Sequence, residues 1–359
     1  MSITGGKTDG NGLYITLCGA YGAGNLGDEA SLEQILAALR EKYPAASFCV
    51  ITRSPEETAA RYGVTAVHSF AGAGIMRALK RSDALIFGGG SLFQTVTSRR
   101  SLYYYLELMR DAKSRGCAVV CWGCCIGPLD KRSEKLTARV LDACADLLCL
   151  RDEKSLAYLR CIGVTEPELQ LTADPVLRLV PRGDADAFLR DNGVCPDGKT
   201  VCFIVRPWKD AAYTEAVRKA AELLQKEGCT PVFAVLCRGD AALTKSIAGD
   251  FACLPYTEDA ALMAAVLGKM RCVVSVRLHG LILAALTGTR CVGIDYDPKI
   301  SAFTERIGSR ALPIDKLCPE SIAEAVLCAG PPEHTEECKT AEKGNLSFAA
   351  KIMERKRLE

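Results

Sequence analysis

The chain has 359 residues, of which 49% are hydrophobic and 25% are charged, and its formal net charge is +2. This length exceeds one ordinary core and predicts two domains of about 150 to 200 residues each. The composition excludes a disordered protein, and the small net charge predicts no particular attraction to nucleic acid.

Strand-like apolar runs alternate with helical patterns along the first half of the chain, which is typical of a parallel α/β sheet. The predicted strands are Leu13 to Cys18, Phe48 to Thr52, Ala84 to Phe87, Ala118 to Trp122, and Leu147 to Leu150. The predicted helices begin near Glu29, Pro55, Ser101, Arg132 and Glu153.

The alternation pauses between Asp174 and Lys199, where prolines and glycines cluster. This pause predicts a boundary between an N-terminal domain, 1–180, and a C-terminal domain, 181–359. A second parallel α/β pattern follows, with strands at Val201 to Val205, Pro231 to Leu236, Cys272 to Val276 and Cys291 to Ile294, and with helices beginning at Ala211 and ending near Met270 and Leu286. The tail, Glu342 to Glu359, is predicted to form a helix that packs on one of the domains.

The cysteines and the apolar runs indicate the cellular compartment of the protein. The 19 cysteines lie inside apolar strand-like runs, as at Cys18 and Cys49, and not at the spacings of a disulfide framework. This usage favours a reducing cytoplasm. Met1 to Asn11 is polar, so no signal peptide is predicted, and no apolar stretch approaches the ~18 residues of a membrane span.

The motif Arg277-Leu278-His279-Gly280 stands where an apolar run gives way to a helical pattern. A guanidinium and an imidazole at a strand exit, beside helix N-terminal amides, suit a small ligand that carries carboxylate and phosphate groups. His279 suits an acid, a base or a phosphate donor. Arg206, which ends another strand, is a second cationic candidate, although an arginine at a strand end is often part of a surface ion pair.

The segment from Gly22 to Gly27 matches the G-x-G-x-x-G pattern of dinucleotide sites. The glycines begin too far beyond the strand, the acids Asp28 and Glu29 stand where a pyrophosphate would bind, and no acid follows the second strand for a ribose. A glycine-rich turn with Asp28 as a helix cap is the alternative interpretation. In either case Asn25 and Asp28 would project toward a ligand at this strand exit.

Three further motifs each allow two interpretations. Gly88-Gly89-Gly90-Ser91 follows a strand, so it is either an anion nest or a permissive turn, and Gln94 follows it. Cys121 to Cys125 has no second ligand pair at a zinc-finger spacing, which favours small strand residues over a metal site. Asp295-Tyr296-Asp297 has the D-x-D form of some glycosyltransferases, but Pro298 favours Asp297 as a helix cap.

Taken in order, these motifs resemble the polysaccharide pyruvyl transferase family, most closely its bacterial cell-wall branch. The resemblance runs from about Leu13 to about Ile300 and rests on Gly24-Asn25-Leu26-Gly27-Asp28-Glu29, Gly88-Gly89-Gly90-Ser91-Leu92-Phe93-Gln94, Ile126-Gly127-Pro128-Leu129, Arg151-Asp152-Glu153 with Ser155 after one gap, Thr172-Ala173-Asp174-Pro175 and Arg277-Leu278-His279-Gly280. One departure is that Cys124 and Cys125 stand where the family usually has glutamine and glycine.

The resemblance implies an α/β fold with two Rossmann-like parallel-sheet lobes in a GT-B-like arrangement with a cleft between them. It implies transfer of a pyruvate ketal from phosphoenolpyruvate to two hydroxyls of a cell-wall polysaccharide precursor, with neither a cofactor nor a metal. Arg206, Arg277 and His279 would bind phosphoenolpyruvate in the C-terminal domain. Asn25, Asp28 and Asp174 would position or deprotonate the sugar on the N-terminal, acceptor side, with Gly89, Gly90, Ser91 and Gln94 as further substrate contacts.

The expected acceptor is a lipid-linked or nucleotide-linked glycan. A lipid-linked acceptor would bring the chain to the inner membrane face, where the basic tail from Lys351 to Arg357 would help, although a charge run is more often simply solvated. Two rival functions stay open. One is a GT-B glycosyltransferase that uses a sugar nucleotide on the same architecture, and the other is a non-catalytic glycan-binding protein, which would not explain the arginine and histidine pair.

Overall fold

The computed structural model describes residues 12–96, 98–195, 197–208 and 212–358. Two sequence-based expectations lie outside these residues: the polar character of Met1 to Asn11 and the helix start at Ala211. The chain divides into two compact units, which we describe separately. Unit 1 comprises the chain up to Ala23, Ser31–Pro175 and the chain from Thr340, and unit 2 comprises Gly24–Ala30 and Val176–Lys339.

The described residues between 12 and 175 form seven strands and six α-helices. The strands are β1 (Tyr14–Cys18), β2 (Ser47–Thr52), β3 (Thr65–His68), β4 (Ala84–Gly88), β5 (Ala118–Cys124), β6 (Leu147–Leu150) and β7 (Glu168–Leu171). The helices are α1 (Leu26–Lys42), α2 (Pro55–Tyr62), α3 (Gly72–Arg81), α4 (Arg99–Ser114), α5 (Lys131–Cys144) and α6 (Glu153–Cys161).

The described residues between Val176 and Cys328 form six strands and seven α-helices. The strands are β8 (Thr200–Ile204), β9 (Thr230–Ala234), β10 (Ala252–Leu254), β11 (Cys272–Ser275), β12 (Arg290–Asp295) and β13 (Arg310–Pro313). The helices are α7 (Ala185–Asp191), α8 (Ala212–Lys226), α9 (Ala241–Ala248), α10 (Ala260–Leu267), α11 (Leu278–Leu286), α12 (Pro298–Arg306) and α13 (Pro319–Cys328).

Both sheets are parallel throughout and share one order over their first six strands, to which the unit 1 sheet adds a seventh. It runs β3-β2-β1-β4-β5-β6-β7 in unit 1 and β10-β9-β8-β11-β12-β13 in unit 2. In each sheet the order reverses between the first and fourth strands, β1 and β4 or β8 and β11. Open parallel sheets bind ligands outside the carboxyl ends of the strands at such a switch point. The predicted α/β class with two Rossmann-like parallel-sheet units is confirmed.

Two segments lie in a different unit from the one their sequence position predicted. The last helix, α14 (Thr335–Leu358), follows unit 2, yet from Thr340 onward it belongs to unit 1, where Ala349 and Ile352 join the core beneath β1. Gly24–Ala30 belongs to unit 2, although it follows the first strand of unit 1. No helix among the described residues is long and apolar enough to cross a membrane.

Candidate functional site

Arg206 and Arg277 occupy equivalent positions at the switch point of the unit 2 sheet. Ile204, the last residue of β8, is in register with Ser275, the last residue of β11, and each arginine lies two residues beyond the end of its strand. The pairing continues one residue past the strands, because the Val276 amide donates to the Ile204 carbonyl over 2.9 Å. The sheet therefore presents both guanidinium groups at the edge where parallel sheets bind ligands.

Arg277 is held from both its backbone and its side chain. Its amide donates to Ser275 Oγ over 3.0 Å, and Ser275 Oγ donates to the Arg277 carbonyl over 2.7 Å. Its Nε donates to the carboxylate of Asp240, and the two side chains are 14% and 4% exposed. Burial lowers the pKa of Arg277, but the hydrogen bond and charge of Asp240 outweigh it, so the pKa is raised overall. Arg277 is thus a fixed cation whose charge Asp240 neutralises.

Arg206 is held differently, by aromatic side chains. Its Nη1 donates to the Tyr296 hydroxyl over 2.6 Å, and its guanidinium lies 4.9 Å from the Tyr296 ring centroid and 5.7 Å from that of Trp208. Among the described residues no carboxylate lies within ion-pair distance of Arg206, and its buried Nε has no hydrogen-bond partner. A buried donor without a partner costs about 1–3 kcal/mol, so this group favours an anionic ligand.

Asn25 and Asp28 lie in unit 2 with these arginines. The Leu26 amide donates to the Leu236 carbonyl over 3.0 Å, and the Arg238 amide donates to the Gly24 carbonyl over 2.9 Å. These bonds join the segment Gly24–Leu26 to the residues that follow β9, which is the neighbour of β8. The structure therefore corrects the prediction that placed Asn25 and Asp28 in the N-terminal domain with Asp174.

Asp28 is a residue of the first turn of α1 and not its cap, because the helix begins at Leu26. Its Oδ2 accepts a hydrogen bond from Asn25 Nδ2 over 2.5 Å. Burial raises the pKa of Asp28 to about 6, a rise that the Asn25 hydrogen bond and the charges of Arg277 and Lys299 limit and that Glu29 increases. A carboxyl group with this pKa can exchange a proton near neutral pH.

His279 lies in the first turn of α11 and touches the start of α1. A Cβ added at Gly27 would overlap the imidazole ring of His279, so glycine is needed for this close approach. One residue later, a Cβ at Gly280 would meet Ser275 Oγ and the Ile204 side chain. Gly27 thus lets the first turn of α1, which carries Asp28, approach His279, and Gly280 lets α11 approach the ends of β8 and β11.

The D-x-D segment forms a helix cap, as the sequence favoured. Asp297 precedes α12 and accepts a hydrogen bond from the Lys299 amide over 3.2 Å, with Pro298 at the first helical position. The Lys299 ammonium lies 3.3 Å from the same carboxylate. Within the described part of the chain no group of three or more histidine, cysteine or acidic side chains is placed to hold a metal ion.

Gly89, Gly90 and Ser91 follow β4 at the switch point of the unit 1 sheet. Gly89 and Gly90 have φ values of 65° and 73°, in the left-handed region that favours glycine. The Gly89 amide donates to the Trp122 carbonyl over 2.9 Å, so this amide of the predicted anion nest is already engaged within the protein. Gln94 lies half-buried farther along the same loop.

Asp174 lies in a buried ion pair with Arg151. Its Oδ2 is 2.6 Å from Arg151 Nη1, and the two side chains are 2% and 6% exposed. Arg151 Nη2 also donates to Ser91 Oγ over 3.3 Å. Arg151 therefore connects the carboxylate of Asp174, predicted from sequence to face the sugar, to the loop that carries Ser91.

Cys124 and Cys125 are buried thiols that hydrogen-bond within unit 1. Cys124 Sγ donates to the Phe87 carbonyl over 3.4 Å, and Cys125 Sγ donates to Asp152 Oδ2 over 2.9 Å. Asp152 also caps α6 by accepting from the Ser155 amide over 2.7 Å. Burial raises the pKa of Cys125 to about 11, so it remains a thiol at neutral pH.

The partners of the candidate residues were missed at the sequence level, although weak signals existed. Asp240 follows the strand next to β8, and Trp208 lies two residues after Arg206. Arg151 and Asp174 follow β6 and β7, whose last residues are in register. A charged or aromatic residue soon after a strand in the same sheet would have been the signal in each case.

A sequence model described as polysaccharide pyruvyl transferase matches residues 25–298. The matched range contains Asn25, Asp28, Arg206, Arg277 and His279. No curated protein matches the chain significantly in sequence.

Solved structures of sugar-nucleotide enzymes are similar in fold. A UDP-GlcNAc 2-epimerase from Methanocaldococcus jannaschii, in complex with UDP-GlcNAc and UDP, has a TM-score of 0.64 at 10% identity, over 94% of this chain and 100% of that one. An enzyme of the same name from Neisseria meningitidis has a TM-score of 0.64 at 11% identity, over 94% and 99%. Anabaena HepE, in complex with UDP and glucose, has a TM-score of 0.59 at 10% identity, over 95% of each chain. These neighbours have the GT-B fold, which supports the predicted fold class, and identities this low show the fold alone.

Proposed function

The chain belongs to the polysaccharide pyruvyl transferase family, and from this premise we propose that it transfers pyruvate as a ketal from phosphoenolpyruvate to two hydroxyls of a cell-wall polysaccharide precursor. One observation carries the proposal. At the unit 2 switch point, Arg206 keeps a buried Nε with no hydrogen-bond partner and has no carboxylate within ion-pair distance among the described residues. A ligand with two anionic groups supplies the charge and the acceptors that this position favours.

In the proposed complex Arg206 and Arg277 bind the carboxylate and phosphate of phosphoenolpyruvate. Asp240 orients Arg277 and cancels its charge, so Arg206 supplies the net positive charge. Tyr296 and Trp208 orient the Arg206 guanidinium without neutralising it. Fixed donors of this kind stabilise charge on the phosphate as it leaves, because they need not reorganise during the reaction.

The proposed reaction converts the methylene carbon of phosphoenolpyruvate into a methyl group. A proton added to that carbon makes the neighbouring carbon electrophilic, and a sugar hydroxyl adds there and loses its proton. The bond from this carbon to the phosphate oxygen then breaks, and the second hydroxyl adds and loses its proton. One hydroxyl proton replaces the proton given to the methylene, the other leaves with phosphate, and a cyclic ketal remains.

Asp28 and His279 are the proposed proton-transfer groups, since both lie at helix first turns beside Arg277. His279 acts as an acid or as a donor to the phosphate, and Asp28, with Asn25 beside it, accepts a hydroxyl proton. In this proposal Gly89, Gly90, Ser91 and Gln94 contact a lipid-linked or nucleotide-linked acceptor. Asp174 acts on that acceptor through Arg151 and Ser91, and membership of the bacterial cell-wall branch is part of the same proposal.

Sugar-nucleotide chemistry is the second candidate, because the solved structures named above are complexes with UDP or UDP-GlcNAc. A uridine diphosphate would also bring two anionic groups to Arg206 and Arg277. The two candidates differ in the ligand that they require, so one binding experiment can separate them.

We expect phosphoenolpyruvate, and not UDP-GlcNAc, to stabilise the purified protein against thermal unfolding. A ligand at 100 times its dissociation constant adds about 2.7 kcal/mol of stability. Arg206→Ala should lose this stabilisation, and the free protein should lose only the hydrogen bond and ring contacts with Tyr296 and Trp208, because no ion pair is broken. Arg310→Ala, which removes an exposed arginine of the same unit, is the matched control and should respond like the parent. Stabilisation by UDP-GlcNAc alone would refute the proposal.

The pKa of Asp28 predicts opposite pH effects on stability and on activity. Since the folded pKa is about 6 and the ordinary value is 3.8, the ionised form is disfavoured in the folded protein. Relative to Asp28→Asn, the parent should lose about 2–3 kcal/mol of stability as the pH rises from 4 to 6 and little more above that. If Asp28 is the base, the turnover of the parent should instead rise as the pH increases through 6, and the turnover of Asp28→Asn should not show this rise. Urea titrations and pH-rate profiles measure the two effects, and a turnover profile that is the same in both proteins would exclude Asp28 as the base.

A further inference from the structure

The exposed face of α4 and α5 in unit 1 carries a cluster of basic residues. We call it the α4–α5 basic face, and it consists of Arg100, Lys131, Arg132, Lys135 and Arg139, all of them exposed. None of these side chains forms an ion pair among the described residues. The face therefore has five positive charges that the described protein does not compensate.

An ion pair and a hydrogen bond link the N-terminal ends of α4 and α5 beside this face. Arg99 Nε lies 2.9 Å from Asp130 Oδ2, and Asp130 caps α5. The Asp130 amide donates to Thr95 Oγ1 over 3.0 Å, which links the loops that precede the two helices. The nearby acid Glu134 accepts from the Tyr158 hydroxyl over 2.9 Å. The acids at this end of the helices are thus already engaged, and the basic residues are held on a shared surface.

Three of these cations lie in the first turns of their helices, where positive charge is unfavourable. Arg100 lies in the first turn of α4, and Lys131 and Arg132 lie in the first turn of α5. A helix N-terminus carries a partial positive charge, and cations there are unfavourable without a partner. The first turn of α4 contains no acid. An anionic surface placed against this face would relieve the repulsion.

Two apolar side chains are exposed next to these cations. Val96, in the loop before α4, and Tyr103, on α4, are each 41% exposed. Cations interspersed with aliphatic and aromatic side chains suit the interface of a membrane, where the charges meet lipid headgroups and the apolar groups reach the acyl boundary. A nucleic acid would use the cations and Tyr103 but would gain little from Val96.

We propose that the α4–α5 basic face docks the protein on a membrane that contains anionic lipid. The face follows β4 and β5 at the carboxyl edge of the unit 1 sheet, the edge that also carries Gly89 and Ser91. It would therefore bring that edge to a glycan held in the membrane. This last link rests on the proposed function, whereas membrane docking itself does not.

The test is sedimentation of the full chain with vesicles of phosphatidylcholine alone or with 30% phosphatidylserine added. Each basic residue near an anionic surface contributes about fivefold to binding. Arg100→Gln/Lys131→Gln/Lys135→Gln should therefore bind the anionic vesicles on the order of a hundredfold more weakly. The matched control is Lys351→Gln/Arg355→Gln/Arg357→Gln, which removes three exposed cations from α14 of the same unit and should bind like the parent. Val96→Ser/Tyr103→Ser should weaken binding in a way that low salt does not restore.

Three outcomes would overturn the docking proposal: equal binding to neutral vesicles, an unaffected triple variant, or an equal loss in the α14 control. Binding to single-stranded RNA without binding to anionic vesicles would also overturn it. The same variants should keep full stabilisation by phosphoenolpyruvate, because none of the changed residues lies in unit 2. Failure of the docking proposal and failure of the proposed reaction therefore give different results.

Discussion

Arg277→Ala should lose both the response to phosphoenolpyruvate and about 3–5 kcal/mol of unfolding free energy. The stability loss arises because Asp240, 4% exposed, would stay buried without its cation. Urea unfolding of parent and variant at pH 7.5 measures the deficit.

The double variant Arg277→Ala/Asp240→Asn separates stability from binding. Removing the orphaned carboxylate should restore most of the lost stability, whereas no cation returns to bind the ligand. We therefore expect a protein with nearly parental urea resistance and no stabilisation by phosphoenolpyruvate. A double variant that regained both properties would show that Arg277 serves only to pair with Asp240.

The central strands could be predicted because parallel strands are buried on both faces and are therefore continuous apolar runs. The predicted run Leu147 to Leu150 is β6, and Ala84 to Phe87 is β4 without its last residue. The edge strands β3, β10 and β13 were not predicted. None of them is fully buried, Thr65–His68 and Arg310–Pro313 contain no apolar run, and the apolar run Ala252–Leu254 is only three residues long.

The location of the cations could also be predicted, but their partners could not. Arg206 and Arg277 follow apolar runs, and the carboxyl ends of neighbouring parallel strands lie at one edge. Asp240 lies 37 residues before Arg277, and its pairing depends on β9 and β11 flanking β8, an order that no local pattern encodes. A single sequence therefore allows residues at strand ends to be predicted, but not the contacts between different strands and helices.

The assignment of Gly24–Ala30 to unit 2 could not be predicted from the sequence for the same reason. This segment directly follows the first strand and its turn, and its glycine pattern is compatible with a place in either unit. Its place is decided by backbone bonds to residues after β9 and by the contact between Gly27 and His279. Asn25 and Asp28 consequently change from acceptor-side residues of the N-terminal domain to neighbours of Arg277.

In unit 1, Asp174→Ala should lower the unfolding free energy by about 3–5 kcal/mol without changing the response to phosphoenolpyruvate. The substitution would leave the Arg151 guanidinium buried without its carboxylate. Burial lowers the pKa of Arg151, but the charges of Cys125, Asp174 and Asp152 outweigh it and raise the pKa overall. A guanidinium cannot shed its proton in a protein, so this deficit should be the same at pH 5 and at pH 7.5.

The two tryptophans of the chain, Trp122 in unit 1 and Trp208 in unit 2, allow the effect to be localised. In a Trp208→Phe background, urea unfolding followed by fluorescence reports on Trp122 and should show the whole deficit. Arg151→Met/Asp174→Leu is the matched control, because replacing both charges with apolar side chains leaves no buried ion and should cost much less than Asp174→Ala. If Asp174→Ala left the Trp122 transition unchanged, the ion pair would not stabilise unit 1, and a direct role of Asp174 toward the acceptor would be favoured instead.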